Sequence, residues 1–235
     1  MEKLVYCLWK QDEIAPSDFG RELRGALADV LEAGGARGLR VFVADEEVAA
    51  GEKLRLSAEA AHKDGYVSFW LEASQDREAL EREIARRASR IAGYLVVESR
   101  PMVPPGAGKE RGRRSPGWVQ VTGISPREGL AYDEFLRHWY EVHRQVAIDT
   151  QSSTAYVRNE IVRPLTRDAP DWAAVVEETF PIEALSDPRV FYDGRGSEER
   201  FRENAQKMFE SVQAFLDLGR VDAHPMSEYV FGDLG

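Results

Sequence analysis

An aromatic and histidine-rich segment, FLRHWYEVH at 135–143, carries the side chains best suited to chemistry in this chain. On a helical wheel with about 100° per residue, Phe135, Trp139 and His143 lie on one stripe. An imidazole has an unperturbed pKa of about 6.5, so it can accept or donate a proton near neutral pH. An ionisable group on an apolar stripe therefore marks a candidate site for proton transfer or ligand binding.

The equivalent stripe 116 residues earlier reads Phe19, Leu23 and Leu27. A leucine therefore stands in the first half at the position that His143 occupies in the second. This contrast favours a functional imidazole with a general acid/base role. The alternative is a core histidine that is hydrogen-bonded to a backbone carbonyl or to Tyr156, and the residues alone leave both readings open.

Polar side chains on two later predicted strands extend this candidate site. Because strand side chains alternate, Tyr156 and Asn159 point to opposite faces and enter one cavity only if a bulge intervenes. Tyr156 could donate a hydrogen bond to a substrate oxygen, and Asn159 could contact substrate or fix backbone at a barrel interface. Glu177 and Glu178 are adjacent on one strand, which excludes paired-carboxylate chemistry between them. Whichever of the two faces the helices could orient His143.

The other histidines and the single cysteine offer less chemistry. On a regular helix His138 lies about 140° from His143, so the two are not expected to hold one metal ion. His62 is predicted to be solvated in a polar segment, and His224 is predicted to be structural or to line a cavity mouth. Cys7 is predicted to be a small buried hydrophobe.

Composition limits the class of protein. The 235 residues are 43% hydrophobic and carry a net charge of -10, with a mean hydropathy of -0.44. Such an acidic balance disfavours binding to nucleic acid or to an anionic membrane surface. We find no signal-peptide pattern, no apolar run of about 20 residues and no intrachain disulfide, and we therefore expect a cytoplasmic protein. The motifs of nucleotide and structural zinc sites are missing as well, so no cofactor and no metal are expected.

The elements that must position the candidate residues follow a β-α-β-β-α-β order, once in each half. Spacing supports a repeat, because Phe19 and Phe135 are 116 residues apart, as are Val41 and Val157. In the first half we predict strands at 4–9, 39–44, 65–72 and 94–98, and helices from Pro16 to Gly34 and at 76–89. In the second half we predict strands at 118–124, 156–162, 172–180 and 226–231, and helices at 132–146 and 197–218.

These elements predict an α+β fold of two ferredoxin-like repeats, at 1–100 and 118–235, packed sheet-to-sheet as a barrel within one chain. Residues 101–117 are predicted to form a linker. Its basic cluster of Lys109, Arg111, Arg113 and Arg114 is interpreted as a solvated crossing between the halves, with an anion-binding arm as the alternative.

The second half resembles the EthD domain of the dimeric α+β barrel superfamily. The resemblance lies in YDEF at 132–135, HWYEVH at 138–143 and YVRN at 156–159. The family often has proline two residues after the histidine, where this chain has Gln145, so the end of the helix is expected to differ. The resemblance implies the barrel fold with more force than any one activity, because relatives include polyketide cyclases, cofactor-free monooxygenases, haem-dependent enzymes and small-molecule binders.

From the motif and the leucine-to-histidine contrast we predict one working cavity, in the second half, for an aromatic or polyketide-like small molecule. His143 would be the general acid/base and Tyr156 a hydrogen-bond donor. Substrate contacts are expected from Phe135, Trp139, Asn159 and Phe209. The leading chemistry is a cyclase, dehydratase or other lyase step. The alternatives are a cofactor-free monooxygenase and a non-catalytic binder, in a monomer or a homodimer.

Overall fold

A computed structural model describes residues 1–57, 62–103 and 110–232. The first half contains β1 (Glu2–Trp9), α1 (16–33), β2 (Arg37–Val43), β3 (Gly65–Leu71), α2 (Glu78–Ala85) and β4 (Arg90–Met102). The second contains β5 (Arg113–Arg114), β6 (Trp118–Ile124), α3 (132–150), β7 (Ala155–Pro164), β8 (Ala174–Phe180), α4 (Pro188–Phe191), α5 (Glu198–Phe215) and β9 (Asp222–Val230). Short 3-10 helices lie at Glu46–Leu54, Ser74–Arg77, Ile182–Leu185 and Leu218–Arg220.

Within the described residues, eight strands close into an antiparallel barrel in the order β2-β3-β1-β4-β7-β8-β6-β9, with β9 paired back to β2. The two halves therefore join edge to edge, through the pairs β4–β7 and β2–β9. This differs from the expected face-to-face packing of two separate sheets. Closure is favourable because it leaves no barrel strand with a free row of backbone hydrogen-bonding groups.

The strand order is the same in both halves, with the second and fourth strands of each half at its edges. Helices α1 and α2 cover the first half, and α3 and α5 cover the second, so each strand buries one face in the barrel and the other under a helix or a loop. Burial on both faces explains why these strands read as nearly continuous apolar runs.

Local sequence accounts for several element boundaries. Pro16 begins α1, where the missing N–H costs nothing. Ser197 caps α5 by accepting a hydrogen bond from the backbone N–H of Arg200. Gly117 has φ of 78° in the turn before β6, and a Cβ atom there would collide with the carbonyl oxygen of Phe180, so this turn requires glycine.

The segment between the halves is partly built into the fold. β4 extends to Met102, and β5 adds to the edge of β9. Arg111 pairs with Asp29 and Glu32 on α1, so this part of the predicted linker is tied to the first half. Residues 104–109, which include Lys109 of the basic cluster, lie outside the described part of the chain, as do residues 233–235.

Helices α1 and α3 each contain a π-helical turn, at Leu23–Leu27 and His138–His143. The sequence interpretation assumed regular α-helix through both segments. In a π turn the hydrogen bonds run from residue i to i+5, so each turn holds more residues than in an α-helix. Among the described residues, no helix has both the length and the apolar composition needed to cross a membrane.

Candidate functional site

A cavity of about 370 Å³ lies in the second half, between the outer face of the sheet and helices α3 and α5. The sheet contributes residues from β6, β7 and β8, and most of the lining is apolar or aromatic. The lining includes Gln120, Thr122, Trp139, His143, Gln151, Tyr156, Glu178, Tyr192, Phe209 and Phe215. The cavity thus lies where the sequence predicted it, between the sheet and the helices that begin near Tyr132 and Ser197.

His143 lines this cavity and is almost completely buried, with 8% of its surface exposed. Its Nδ1 lies 3.0 Å from the hydroxyl oxygen of Ser211 on α5, and its ring packs on Phe215 at a centroid distance of 4.8 Å. Burial, with a smaller contribution from the nearby His138, lowers the pKa of His143 to about 4. The imidazole is therefore neutral at neutral pH.

The π turn brings His138 and His143 to the same ring. His138 stacks on Phe215 at 5.1 Å, next to the contact that His143 makes. The expectation of a wide angle between the two histidines was wrong, because it assumed a regular helix and five residues span little more than one π turn. In the described ranges, no group of three or more His, Cys, Asp or Glu side chains could hold a metal ion. That the two histidines bind no metal stays a prediction.

Tyr156 and Trp139 form a hydrogen-bonded pair on the cavity wall. The indole N–H of Trp139 donates to the phenolic oxygen of Tyr156 over 2.7 Å. Burial raises the pKa of Tyr156 well above its usual range, so the phenol keeps its proton. Because its oxygen already accepts one hydrogen bond, the remaining O–H is available as a donor to a ligand oxygen.

Glu178 is the acidic side chain that faces the cavity. It is partly buried, and the described part of the chain offers its carboxylate no hydrogen bond or ion pair. Burial raises the pKa of Glu178 to about 7. A carboxyl in such surroundings changes its charge near neutral pH, which is the property required of a general acid or base.

Glu177 points the other way, into the barrel. Its carboxylate accepts hydrogen bonds from Tyr66 and Asn159, both over 2.9 Å, and pairs with Arg40 over 2.7 Å. Burial opposes ionisation, but the positive charges of Lys3 and Arg40 lower the pKa of Glu177 below its usual range. The alternation along β8 thus gives the structural role to Glu177 and leaves Glu178 to the cavity.

Two predicted substrate contacts lie away from the cavity surface. Asn159 is fully buried inside the barrel, where it forms hydrogen bonds with Lys3 and Glu177. It lies on the face of β7 opposite to Tyr156, as the alternation of side chains along a strand requires. Phe135 is fully buried behind Trp139. Both expectations of a direct ligand contact in this cavity are therefore corrected: Asn159 supports the barrel interior, and Phe135 supports the Trp139 ring.

Phe209 lines the cavity, as predicted, but with 51% of its surface exposed it stands at the mouth. Leu56 and Leu218 also line the cavity and are exposed. The opening is thus bordered by apolar side chains from both halves of the chain. His224 lies elsewhere: it is fully buried with Asp222 and Lys63 on the barrel side of β9, which agrees with the predicted structural role and not with the alternative of a cavity mouth. His62 is exposed, and Cys7 is buried, as predicted.

The corresponding space in the first half is filled by side chains. Leu27, at the position equivalent to His143, is fully buried in a core that also contains Leu23 and Phe69. Tyr6 packs in the same core and donates a hydrogen bond to Glu81 over 2.9 Å. The structure therefore places the polar cavity in the second half, where the sequence contrast suggested it.

Sequence reasoning missed several residues of the cavity. Thr122 on β6 and Gln151 after α3 each have a buried oxygen without a hydrogen-bond partner among the described residues. Gln120 pairs in register with Glu178, and Glu178 with Tyr156, across β6, β8 and β7. The polar side chain in the apolar strand β6 was the available clue, but its cross-strand partners could not be known without the strand order.

The comparisons with known proteins agree with this architecture. Residues 127–217 match the family model of the EthD domain, a range that contains His143, Tyr156 and Glu178. The second half therefore matches the EthD domain over these residues, as the resemblance implied. A search of curated proteins finds no match.

Two solved structures resemble the whole chain. One is a protein from Lactobacillus acidophilus NCFM assigned as a monooxygenase, with 10% identity, a TM-score of 0.50 and coverage of 100% of this chain and 96% of that one. The other is an anthrone oxidase-like protein, with 11% identity, a TM-score of 0.50 and coverage of 97% of this chain and 90% of that one. At such identities the likeness shows the fold alone: this chain adopts the α+β barrel fold.

Proposed function

We propose that this EthD-domain protein is a small-molecule enzyme that transfers protons on an aromatic or polyketide-like substrate. The observation that supports this most is the carboxyl of Glu178, which has no partner among the described residues and lies in an aromatic cavity that it shares with His143 and Tyr156. Leaving a buried carboxyl unpaired costs stability, and such groups are typical of active sites. The site is proposed for the second of two ferredoxin-like repeats within one chain.

In this proposal Glu178 is the group that accepts the proton. A carboxylate with a pKa near 7 is half ionised at neutral pH and can act as general base toward a phenol or a carbon next to two carbonyls when the resulting anion is stabilised. Tyr156 donates a hydrogen bond to the oxygen on which negative charge develops. His143, being neutral, returns or relays a proton through either ring nitrogen, one of which is fixed by Ser211.

A cyclase or dehydratase reaction uses these groups in sequence. Removal of a C–H proton gives an enolate, whose carbon attacks a second carbonyl of the same molecule. The new alkoxide takes up the proton, so ring closure is an isomerisation. Loss of water then gives a double bond: Glu178 removes a proton from the carbon next to the new alcohol, and its acid form donates that proton to the leaving hydroxyl. The aromatic walls would hold the planar product.

A cofactor-free monooxygenase is the second candidate, and the names of the two structural relatives favour it. The first step is the same, because the deprotonated substrate is an electron-rich anion that can reduce molecular oxygen. The net change converts a CH2 group to C=O, with one O2 consumed and one water released. Oxygen uptake in step with product formation distinguishes this reaction from a lyase step, which consumes none.

The proposed function is tested with a panel of enolisable aromatic and polyketide-like compounds, assayed for product by mass spectrometry and for oxygen uptake. We expect Glu178→Gln to lower kcat by about 100-fold or more, since it removes the proton acceptor but keeps the shape. His143→Leu should also lower kcat, and the exposed Glu141→Gln is the matched control. Saturable binding without turnover by the wild type would instead indicate a binding protein.

A further inference from the structure

We propose that the cavity selects uncharged phenolic or enolic compounds and rejects their carboxylate analogues. This inference concerns the ligand class of the site just described and rests on that site being the one that is used. Three observations support it: the alignment of polar side chains on the cavity floor, the lack of a cation in the lining, and the apolar mouth.

The polar side chains form a row across three strands, here named the polar row. Gln120, Glu178 and Tyr156 occupy directly paired positions on β6, β8 and β7. Neighbouring strands are about 4.8 Å apart, so the row spans about 10 Å. It offers an acceptor at its centre and a donor on each side. A flat ligand with a hydroxyl and a carbonyl along one edge can satisfy these groups together.

The charge in the cavity is negative and is not balanced there. Among the residues that the structure describes, the lining includes Glu178 but no lysine or arginine. Arg158 shares the outer face of β7 with Tyr156, but its guanidinium packs on Tyr140 at 4.1 Å and lies behind the cavity wall, 5.6 Å from the ring of Trp139, and its Nε donates to Ser99. It does not line the cavity. A carboxylate ligand would therefore lose its hydration and meet a second carboxylate, with no cation to compensate either charge.

The walls explain which uncharged compounds fit. Aromatic rings of Trp139, Tyr192, Phe209 and Phe215 line the space, and its volume lies at the low end of small-molecule pockets. A phenol or enol places its hydroxyl on Glu178 and its ring system among these aromatic groups. A compound of the same shape without a donor leaves the carboxyl of Glu178 unsatisfied.

The experiment compares three probes of nearly equal shape by isothermal titration calorimetry at pH 8: 2-naphthol, 2-naphthoate and 2-methoxynaphthalene. At this pH 2-naphthol is uncharged and 2-naphthoate is anionic. For the wild type we expect the affinities for 2-naphthoate and for 2-methoxynaphthalene each to be at least about tenfold lower than the affinity for 2-naphthol.

Two substitutions separate charge from hydrogen bonding. Glu178→Gln removes the charge and should bring 2-naphthoate to within about threefold of 2-naphthol. Glu178→Leu removes the acceptor and should bring 2-methoxynaphthalene to a similar affinity. Glu141→Gln is the control, and thermal melting verifies folding. Equal binding of 2-naphthoate and 2-naphthol by the wild type, or discrimination that persists in both variants, would overturn the proposal.

The binding assay does not depend on turnover, so the two proposals can fail separately. Discrimination without catalysis of any compound would leave the ligand class intact and make the protein a binder. Catalysis together with undiminished binding of 2-naphthoate would support the enzymatic function and contradict the proposed selectivity for uncharged ligands.

Discussion

His143 shows how one side chain can carry a cost in stability. Its imidazole is buried beside Phe215, and burial lowers its pKa to about 4, from an ordinary value of about 6.5. Between these two pH values the unfolded chain binds a proton at this position and the folded chain does not. The free energy of unfolding is therefore highest above about pH 6.5, and it decreases as the pH falls from there towards 4.

The substitution His143→Leu should remove this dependence on pH, and it copies the leucine of the first half. We expect the free energy of unfolding of the wild type to fall by up to about 3 kcal/mol more than that of the variant between pH 7.5 and pH 4.5. Urea denaturation of both proteins at the two pH values measures it. Equal pH dependence in wild type and His143→Leu would show that the imidazole is not held neutral.

At the residue scale, the sequence predicted the site in part. The stripe with Trp139 and His143 identified the helix face that lines the cavity. Alternation showed that either Glu177 or Glu178 faces the helices, but it could not show which. Both faces of β8 are buried, one in the barrel and one under helices, so the apolar pattern does not distinguish them. The partners of Glu177 decide it, and they come from distant strands.

At the scale of elements, the π turn of α3 determines how His143 meets the cavity. A π turn can be described as one extra residue in an α-helix. In α3 this turn covers His138–His143 and brings both histidines to the Phe215 ring. The turn in α1, at Leu23–Leu27, has the equivalent position but faces a filled core. The same backbone irregularity thus serves packing in one half and the cavity in the other.

Deletion of Val142 tests this role. Val142 is exposed within the π turn, and its removal should restore regular α-helix while residues on either side keep their faces. We expect the protein to fold with His138 and His143 four residues apart on one helix face, so the deletion removes only the wider π turn; binding of 2-naphthol should weaken about tenfold or more. Deletion of Gly25 in the π turn of α1 is the matched control. Retained binding after the Val142 deletion would show that the π turn does not position the site.

Most elements could be predicted from periodicity and turn residues, and the π turns could not. The strand at Trp118–Ile124 was predicted with the observed bounds, and the helix from Tyr132 with its observed start. Prediction of side-chain directions assumes about 100° per residue throughout a helix, so a local change in winding is invisible to it. β4 and β9 were predicted too short, because glycine, proline and charged residues interrupt the apolar pattern at their ends. Residues 99–102 of β4 pair with β7 of the other half, whereas residues 90–93 and 222–225 pair with β1 and β6 of their own halves.

At the scale of the whole molecule, buried charges connect the two halves across the barrel. Arg40 on β2 pairs with Glu177 on β8 and with Glu228 on β9. Lys3 on β1 pairs with Glu98 over 2.5 Å and lies 3.5 Å from Glu177. Cations of the first half therefore meet carboxylates of the second inside one interior. The sequence predicted a barrel within one chain, but it did not indicate that its interior contains an ion network.

This network predicts that the halves unfold together. Arg40→Met keeps much of the side-chain volume but leaves the buried Glu177 and Glu228 without this guanidinium. We expect the free energy of unfolding to fall by about 3 kcal/mol, because removal of one partner of a buried ion pair leaves the other charge buried without compensation. Arg37→Met, at an exposed position of the same strand with a pair to Glu72 at 3.9 Å, should cost less than about 1 kcal/mol.

The number of transitions in urea unfolding tests this prediction more directly than the size of the stability loss. If Arg40 joins two halves that depend on each other, urea unfolding of the wild type and of Arg40→Met should each show one transition by both fluorescence and circular dichroism. The substitution would then move the whole transition to lower urea. Two separate transitions, with only one of them shifted, would mean that each half has its own stable core. The cavity in the second half would in that case not require the first half for its structure.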